Sequence, residues 1–515
     1  MKRLLIASLL VLTLVALAGC GRKSTPEPTT TPVPPTPTEA PQAAPTIAEP
    51  AQPKPTTAPE SATENESTVA TAIITETAAM TSTGSMSGTA SSAPVVVDFW
   101  TGDTQPSRIA AYEDVALRFM AENPGVEVRI TPVDEAAMTD QVTAAMANGE
   151  GPDLVRVGMA SLAALVANNL VDAEAAGAVV DAVGRDDFRE RPLEMVTSPT
   201  TGQVFAVPYD GWLQALWYRR DLFEENGLAN PVSWDDINAA CDQLVASGAV
   251  PAALVLPTDP TQNYVEQIFE EVAMSNNAWP FDADGNVTMN TPEMIEALRF
   301  YTGLQRCSPP APQGLYSARE AYESGQSAML FYSTYIMDDL VEGSEREDGT
   351  RAPIAVDGLA GKTGFASGMV GPNGSASYGQ LVTLALLKDA PPEAQAVAAY
   401  FLTKGYYDII KTTPLGKIPV LKSAIEDWTA LSPVFTYYSD ATLGHIASGY
   451  DVMNRWIFRP EYGPAERLAI GKLQTQLLIP QAIHQIVSGE MTPEEAAAWL
   501  QSQLEAIQDE FQAQG

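Results

Sequence analysis

Between residues 95 and 157 the chain alternates strand-like and helix-like segments, and this alternation narrows the fold more than any other feature. Residues 95–100, VVVDFW, form an apolar strand pattern. Residues 109–123 then place Tyr112, Val115, Ala116, Phe119 and Met120 at helical spacing, and Pro124-Gly125 stops that helix. Residues 126–130 alternate as a strand, 138–148 read as a second helix, Gly151-Pro152-Asp153 turns the chain, and 154–157 form a third strand. The order argues for an α/β layer with a mainly parallel sheet flanked by helices. Ligands on such sheets meet the loops at strand carboxyl ends, here 100–104 and 158–161.

Residues 202–237, GQVFAVPYDGWLQALWYRRDLFEENGLANPVSWDDI, hold the second informative stretch. An apolar run at 204–207 is closed by Pro208, which lacks the donor a strand interior needs. Tyr209, Asp210 and Trp212 surround Gly211, a residue suited to a crossing point between two halves of a fold. Residues 216–218 are strand-like, with Trp217 expected in the core; 220–226 form a short helix ended by Gly227, and Ser233 with Asp236 caps the next. Strands are expected at 252–256, 326–332 and 381–387, and helices at 266–274, 292–306, 318–324 and 391–403. Residues 352–379 are Gly-rich and carry no regular signal; 416–421, GKIPVL, reads as a further crossing. The remainder is helical and closes with a capping box at Thr492-Pro493-Glu494-Glu495.

At the start of the chain Lys2 and Arg3 precede an apolar run, 4–17, and Leu17-Ala18-Gly19-Cys20. This resembles a bacterial lipoprotein signal, which implies removal of residues 1–19 and attachment of a lipid to Cys20. Residues 20–93 then read as a lipid-anchored Cys and a Pro/Thr/Ser-rich tether that buries too little apolar surface to fold. The membrane is engaged through the anchor alone, at the outer face of the cytoplasmic membrane.

With 29 basic against 64 acidic residues the formal charge is −35, which sets nucleic acid and anionic membrane surfaces aside as partners. Cys241 and Cys307 fall in separate predicted helices, and the sequence leaves open whether they pair. His445 and His484 make no metal-spaced cluster, and Gly361-Lys362-Thr363 lacks the spacing of a phosphate loop. Asp103 and Asp210 are a formal carboxylate pair of the kind glycoside hydrolysis uses, but pairs of acids arise by chance among 64. No catalytic residue, metal or cofactor is expected.

Eight segments, VVVDFWTG, GPDLVRVG, GQVFAVPYD, LWYRRDLFEENGL with PVSWDDI, AYESGQSAML, KDAPPEAQAVAAYFLTK, GKIPVLKSA and IVSGEMTPEEAAAWL, occur in the order of one family. In them the chain resembles the extracellular solute-binding proteins of ABC importers, in the sugar-binding group that includes maltose-binding protein. The resemblance implies a two-lobed, type II periplasmic-binding-protein-like α/β fold, each lobe a mainly parallel sheet flanked by helices. Lobe 1 would comprise 94–208 and the return segment 371–418; lobe 2 would comprise 209–370 and the C-terminal helical part 419–515. A monomer would enclose a solute, a sugar or oligosaccharide, in the cleft between the lobes and deliver it to ABC importer permease subunits. A noncarbohydrate solute or a ligand-sensing role is the alternative.

Carried onto matching positions, the resemblance implies ligand contacts at Asp103 and Thr104, at Gly158 and Met159, and at Tyr209, Asp210 and Trp212. Gln262 and Tyr264, Tyr335, and Ser377 with Tyr378 complete the set. Rings suit the C–H face of a pyranose and carboxylates its hydroxyls. The second loop lacks the acid that the family often has there. The family's late-helix aromatic has no match at 474–478, with Trp456 and Tyr462 as candidate replacements.

Overall fold

The computed structural model describes residues 93–344, 350–459 and 461–512. The leader, Cys20 and all but the last residue of the tether lie outside the described residues. The first block folds as the alternation requires: strand β1 (Val95–Thr101), helix α1 (Pro106–Glu122), strand β2 (Val126–Pro132), helix α2 (Glu135–Ala147), strand β3 (Leu154–Gly158) and helix α3 (Met159–Ala167). β1 lies between β2 and β3 and is parallel to both. Alternate residues of β1 turn inward, so Val97 and Phe99 are fully buried, and Phe99 meets Tyr112 of α1 and Phe401 edge-on at 5.7 and 5.2 Å.

The other strands are β4 (Val207–Arg219), β5 (Ala252–Leu254), β6 (Ser327–Ser333), β7 (Thr363–Ala366), β8 (Met369–Gly371), β9 (Gly374–Leu386), β10 (Ile418–Pro419) and β11 (Met453–Asn454). The eleven strands join one mixed sheet whose main order is β2-β1-β3-β9-β4-β6-β5, with β7 and β10 against β4 and β8 and β11 against β9. The parallel block β2-β1-β3 meets the parallel pair β5-β6 through two long antiparallel strands, β4 and β9. β9 pairs with β3 over 382–386, and β4 pairs with β6 over 214–218. The two 13-residue strands therefore tie both halves together along their own length.

β4 joins what the sequence suggests are two strands separated at Pro208. Its register to β9 shifts between Pro208 and Asp210, an irregularity that accommodates the missing N–H inside a continuous strand. Residues 352–379, which carry no regular signal, hold β7, β8 and the first part of β9. Glycine and serine have little strand preference of their own, and here the partner strand β4 and the turn between β8 and β9 supply the order. β10 lies against β4 with Ile418 opposite Gly211 and Pro419 opposite Asp210, so the crossing at 416–421 runs beside the one at 208–212. Gly211 is required there: a Cβ would stand 2.1 Å from Tyr450 Oη and 2.2 Å from the Gln380 carbonyl oxygen.

The caps read from sequence are formed. Ser233 and Asp236 make a reciprocal capping box, as do Thr492 and Glu495. Trp217 is fully buried and donates to the Tyr332 carbonyl at 3.0 Å, and Trp234 stacks on Phe300 at 4.1 Å. Cys241 and Cys307 form a disulfide with a Cα separation of 5.4 Å, joining the helix Trp234–Ser247 to the turn Leu304–Cys307 across 66 residues. A cross-link of that span removes chain entropy from the unfolded state, worth about 4 kcal/mol. Urea unfolding of the full chain checks this: reduction, or Cys241→Ser with Cys307→Ser, is expected to lower the midpoint markedly, and an unchanged midpoint contradicts it.

Candidate functional site

The carboxyl ends of β1 and β3, the crossing on β4 and the segment after β6 converge on a cavity of about 150 Å³. Gly102 and Asp103 enter from β1, Val157 and Gly158 from β3, Asp210 and Trp212 from β4, Gln380 and Val382 from β9, and Tyr335 follows β6. Arg108 of α1, Arg156 of β3 and the exposed Glu135 of α2 complete its charged part.

Those charges form one buried network. Asp103 accepts from Arg108 Nη1 at 2.7 Å, Tyr112 Oη at 3.0 Å and Lys417 Nζ at 3.0 Å, with Arg156 Nη1 at 3.3 Å. Arg156 Nη2 donates to both Asp210 oxygens at 2.9 and 2.8 Å, and Lys417 lies 3.5 Å from Asp210. Asp103 is 4 % exposed, Arg156 8 %, Asp210 2 % and Lys417 0 %, so these groups have almost no water to share. Burial alone would raise the Asp103 pKa; Arg156, Lys417 and Arg108 overcome it and hold the carboxyl well below the usual range. Burial also pulls at Arg156, but Asp210, Tyr112 and Asp103 keep its pKa above the ordinary value. Lys417 is lowered, first by burial and then by Arg156. A carboxyl held ionised in this way is a poor proton donor, whereas the acid of a glycosidase needs a raised pKa.

Two rings wall the polar floor. Trp212 stands two residues from Asp210 on the same strand face, with Tyr378 behind it at 5.9 Å between ring centroids. Tyr335 packs so closely on Gly416 that a Cβ there would lie 2.0 Å from its ring, which ties the wall to the crossing that carries Lys417. Behind Trp212, Arg455 lies 4.3 Å from the Tyr378 ring centroid, donates to Gln380 Oε1 at 2.7 Å and pairs with Glu270 at 3.0 Å. Glu270 belongs to the helix Tyr264–Ser275, whose Glu266 and Glu271 are also buried. Burial pushes the Glu266 carboxyl up to about 8, aided by Glu270 and opposed by Arg455.

Of the positions expected to touch ligand, Asp103, Gly158, Asp210, Trp212 and Tyr335 line this cavity. Met159 lines a second cavity of about 360 Å³, between α3, residues 194–200 with Phe205, and Phe458 with residues 461–464, among them Tyr462. Thr104 is exposed and lines neither. Tyr209, adjacent to Asp210 on the strand, turns to the other face, fully buried 5.7 Å from Tyr406. Tyr264 is buried with its hydroxyl on the Phe331 carbonyl, and Tyr378 is covered by Trp212 and Arg455. Gln262 accepts from the Leu315 N–H, and Ser377 Oγ accepts from the Gly368 N–H. Arg108, Arg156, Gln380 and Lys417 were not singled out from sequence. A charged residue inside the apolar runs VRVG and GKIPVL is the signal that could have found two of them, because a charge buried there requires a partner. Among the described residues no group of three or more His, Cys, Asp or Glu side chains is placed to hold a metal ion.

Comparison with known proteins agrees with this geometry. Residues 102–408 match the family of bacterial extracellular solute-binding proteins. YcjN of Escherichia coli strain K12, assigned as an ABC-transporter periplasmic-binding protein, is 26 % identical over 337 residues, 64 % of this chain and 74 % of that protein. The GacH receptor of Streptomyces glaucescens superposes with a TM-score of 0.58 at 19 % identity, covering 81 % of this chain and 99 % of that one. The cyclic alpha-maltosyl-1,6-maltose binding protein of Arthrobacter globiformis superposes with a TM-score of 0.62 at 18 % identity, covering 81 % and 100 %. These likenesses establish the type II periplasmic-binding fold.

The buried acids behind Trp212 set a pH dependence. Glu266 keeps its proton to about pH 8 in the folded chain but ionises near its ordinary 4.5 when unfolded, so the folded state binds more protons and stability falls as pH rises between those values. Glu266→Gln removes that loss and is expected to stabilise the protein by roughly 3 kcal/mol near pH 7. Below the unfolded pKa the gain should vanish. Denaturant midpoints of both proteins across pH check it; a gain that does not grow with pH contradicts it.

Proposed function

The chain belongs to the bacterial extracellular solute-binding protein family, and from that membership we propose that it captures a sugar or short oligosaccharide and delivers it to the permease subunits of an ABC importer. The observation that carries the reading is the pairing, in one cavity, of the Trp212 and Tyr335 rings with a fixed polar floor of Asp103, Arg156 and Asp210. Rings offer apolar surface to a pyranose face while the charged groups meet its hydroxyls. Relatives in fold support the solute class: the GacH receptor was solved in complex with acarbose, and the Arthrobacter globiformis protein is a maltosyl-maltose binding protein. Gly158 lines the inner cavity and the adjacent Met159 the larger one.

In this reading β4, β9 and β10 are the crossings between two lobes, 94–208 with 371–418 and 209–370 with 419–515. Closure of the lobes brings Trp212 and Tyr335 onto solute held at the polar floor. Cys20 carries a lipid that keeps the protein at the outer face of the cytoplasmic membrane, and residues 21–93 give it reach.

Calorimetry of the full chain against mono- and oligosaccharides, amino acids and polyamines tests the solute class. Saturable binding of carbohydrate is expected, weakened by about tenfold or more in Trp212→Ala. Binding of a noncarbohydrate alone overturns the reading. Separately, Cys20→Ser is expected to move the protein from the membrane fraction to the soluble extracytoplasmic fraction, and unchanged membrane association would exclude the anchor.

A further inference from the structure

The ion-pair network beneath the cavity carries a charge opposite to that of the molecule as a whole. The chain is formally −35, yet the joined network counts three cations, Arg108, Arg156 and Lys417, against two carboxylates, Asp103 and Asp210. The surplus is one positive charge. Glu135 also lines the cavity but is exposed, where solvent screens it, and it makes no ion pair with these groups.

The acceptors of the floor are also already engaged. Asp103 takes three hydrogen-bond donors and the ion pair with Arg156 Nη1, so it has little capacity left for a sugar hydroxyl, and Asp210 has both oxygens on Arg156 Nη2. The donors are less engaged. The Arg108 guanidinium gives Asp103 one nitrogen, Nη1, and makes no other hydrogen bond among the described residues. It is also the most open of the cluster, its side chain 18 % exposed against 9 % for Arg156 and 0 % for Lys417. A guanidinium fork with free N–H groups, in a network of surplus positive charge, is matched by a carboxylate, which neutralises the charge and accepts two hydrogen bonds at once. A neutral sugar would supply the acceptors but leave the buried surplus uncompensated.

We infer that the inner end of the cavity recognises an acidic sugar, a hexuronate or the uronate end of an oligosaccharide, whose carboxylate lies against Arg108 and Arg156. The inference rests on the sugar-binding reading above and adds the charge of the solute to it. The Trp212 and Tyr335 rings then take the face of the same residue.

The test is calorimetry of the full chain with galacturonate, glucuronate, mannuronate and their short oligomers, each against its methyl ester and its neutral parent sugar. The ester keeps the size and removes the charge. The acid is expected to bind about tenfold or more tighter than its ester. The preference should shrink as salt is raised and approach unity in Arg108→Gln, where two cations balance two carboxylates. Neutral sugars and esters binding as well as the acids overturns this inference and leaves the sugar reading standing. Absence of binding by every carbohydrate, with binding of another solute, overturns both. A preference for acids that persists undiminished in a folded Arg108→Gln protein places the carboxylate elsewhere and also overturns the inference.

Discussion

Asp103, Arg156, Asp210 and Lys417 are far apart in sequence and all buried, and their mutual ion pairing fixes where four chain segments meet. The loop after β1, the middle of β3, the crossing on β4 and the residue before β10 each contribute one member. Charges removed from water in this way persist only if each has its partner, and loss of one member leaves the others uncompensated, a cost of about 3–5 kcal/mol for a buried pair. The network thus positions the cavity floor before any solute arrives. Groups held by one another need little reordering when a ligand binds, which is what a binding site gains from rigid support.

The long strands carry that rigidity across the molecule. β4 brings Asp210 and Trp212 to the cavity and continues to β6, whose end positions Tyr335; β9 returns antiparallel to it with Gln380 and Val382. Close approach at Gly211 lets Tyr450 and β9 press on the crossing, and Gly416 lets the Tyr335 ring rest on the segment that carries Lys417. Polar floor and aromatic wall are consequently attached to the same three crossings.

Much of this was legible in the residues. The α/β class, the first three strands, the capping boxes at Ser233 and Thr492, and Trp217 in the core all follow from local pattern, because the signal and the structure it specifies lie within a few residues of one another. β4 was divided at Pro208 because a proline is locally a strand breaker, and only the neighbouring β9 shows how an irregular register absorbs it. The first part of β9, rich in Gly and Ser, has the same explanation: its order comes from a partner strand. Of the residues that line the candidate cavity, Asp103, Asp210, Trp212 and Tyr335 are positions the resemblance picks out at strand ends. Their charged partners were not, because pairing between residues 103, 156 and 417 is a property of tertiary structure, and a buried Lys417 has no local signature beyond its apolar neighbours. Tyr209 and Tyr378 show the reverse error: position near a crossing does not say which face of the strand a ring takes.

Backbone hydrogen exchange of the full chain, with and without a saturating carbohydrate found by calorimetry, tests most directly that solute is held where these strand ends converge. Slowed exchange is expected together at residues 102–108, 156–158, 209–214 and 333–337, which span both sides of the cavity. Protection confined to 194–205 and 458–467, or spread with no concentration at the strand ends, would contradict it.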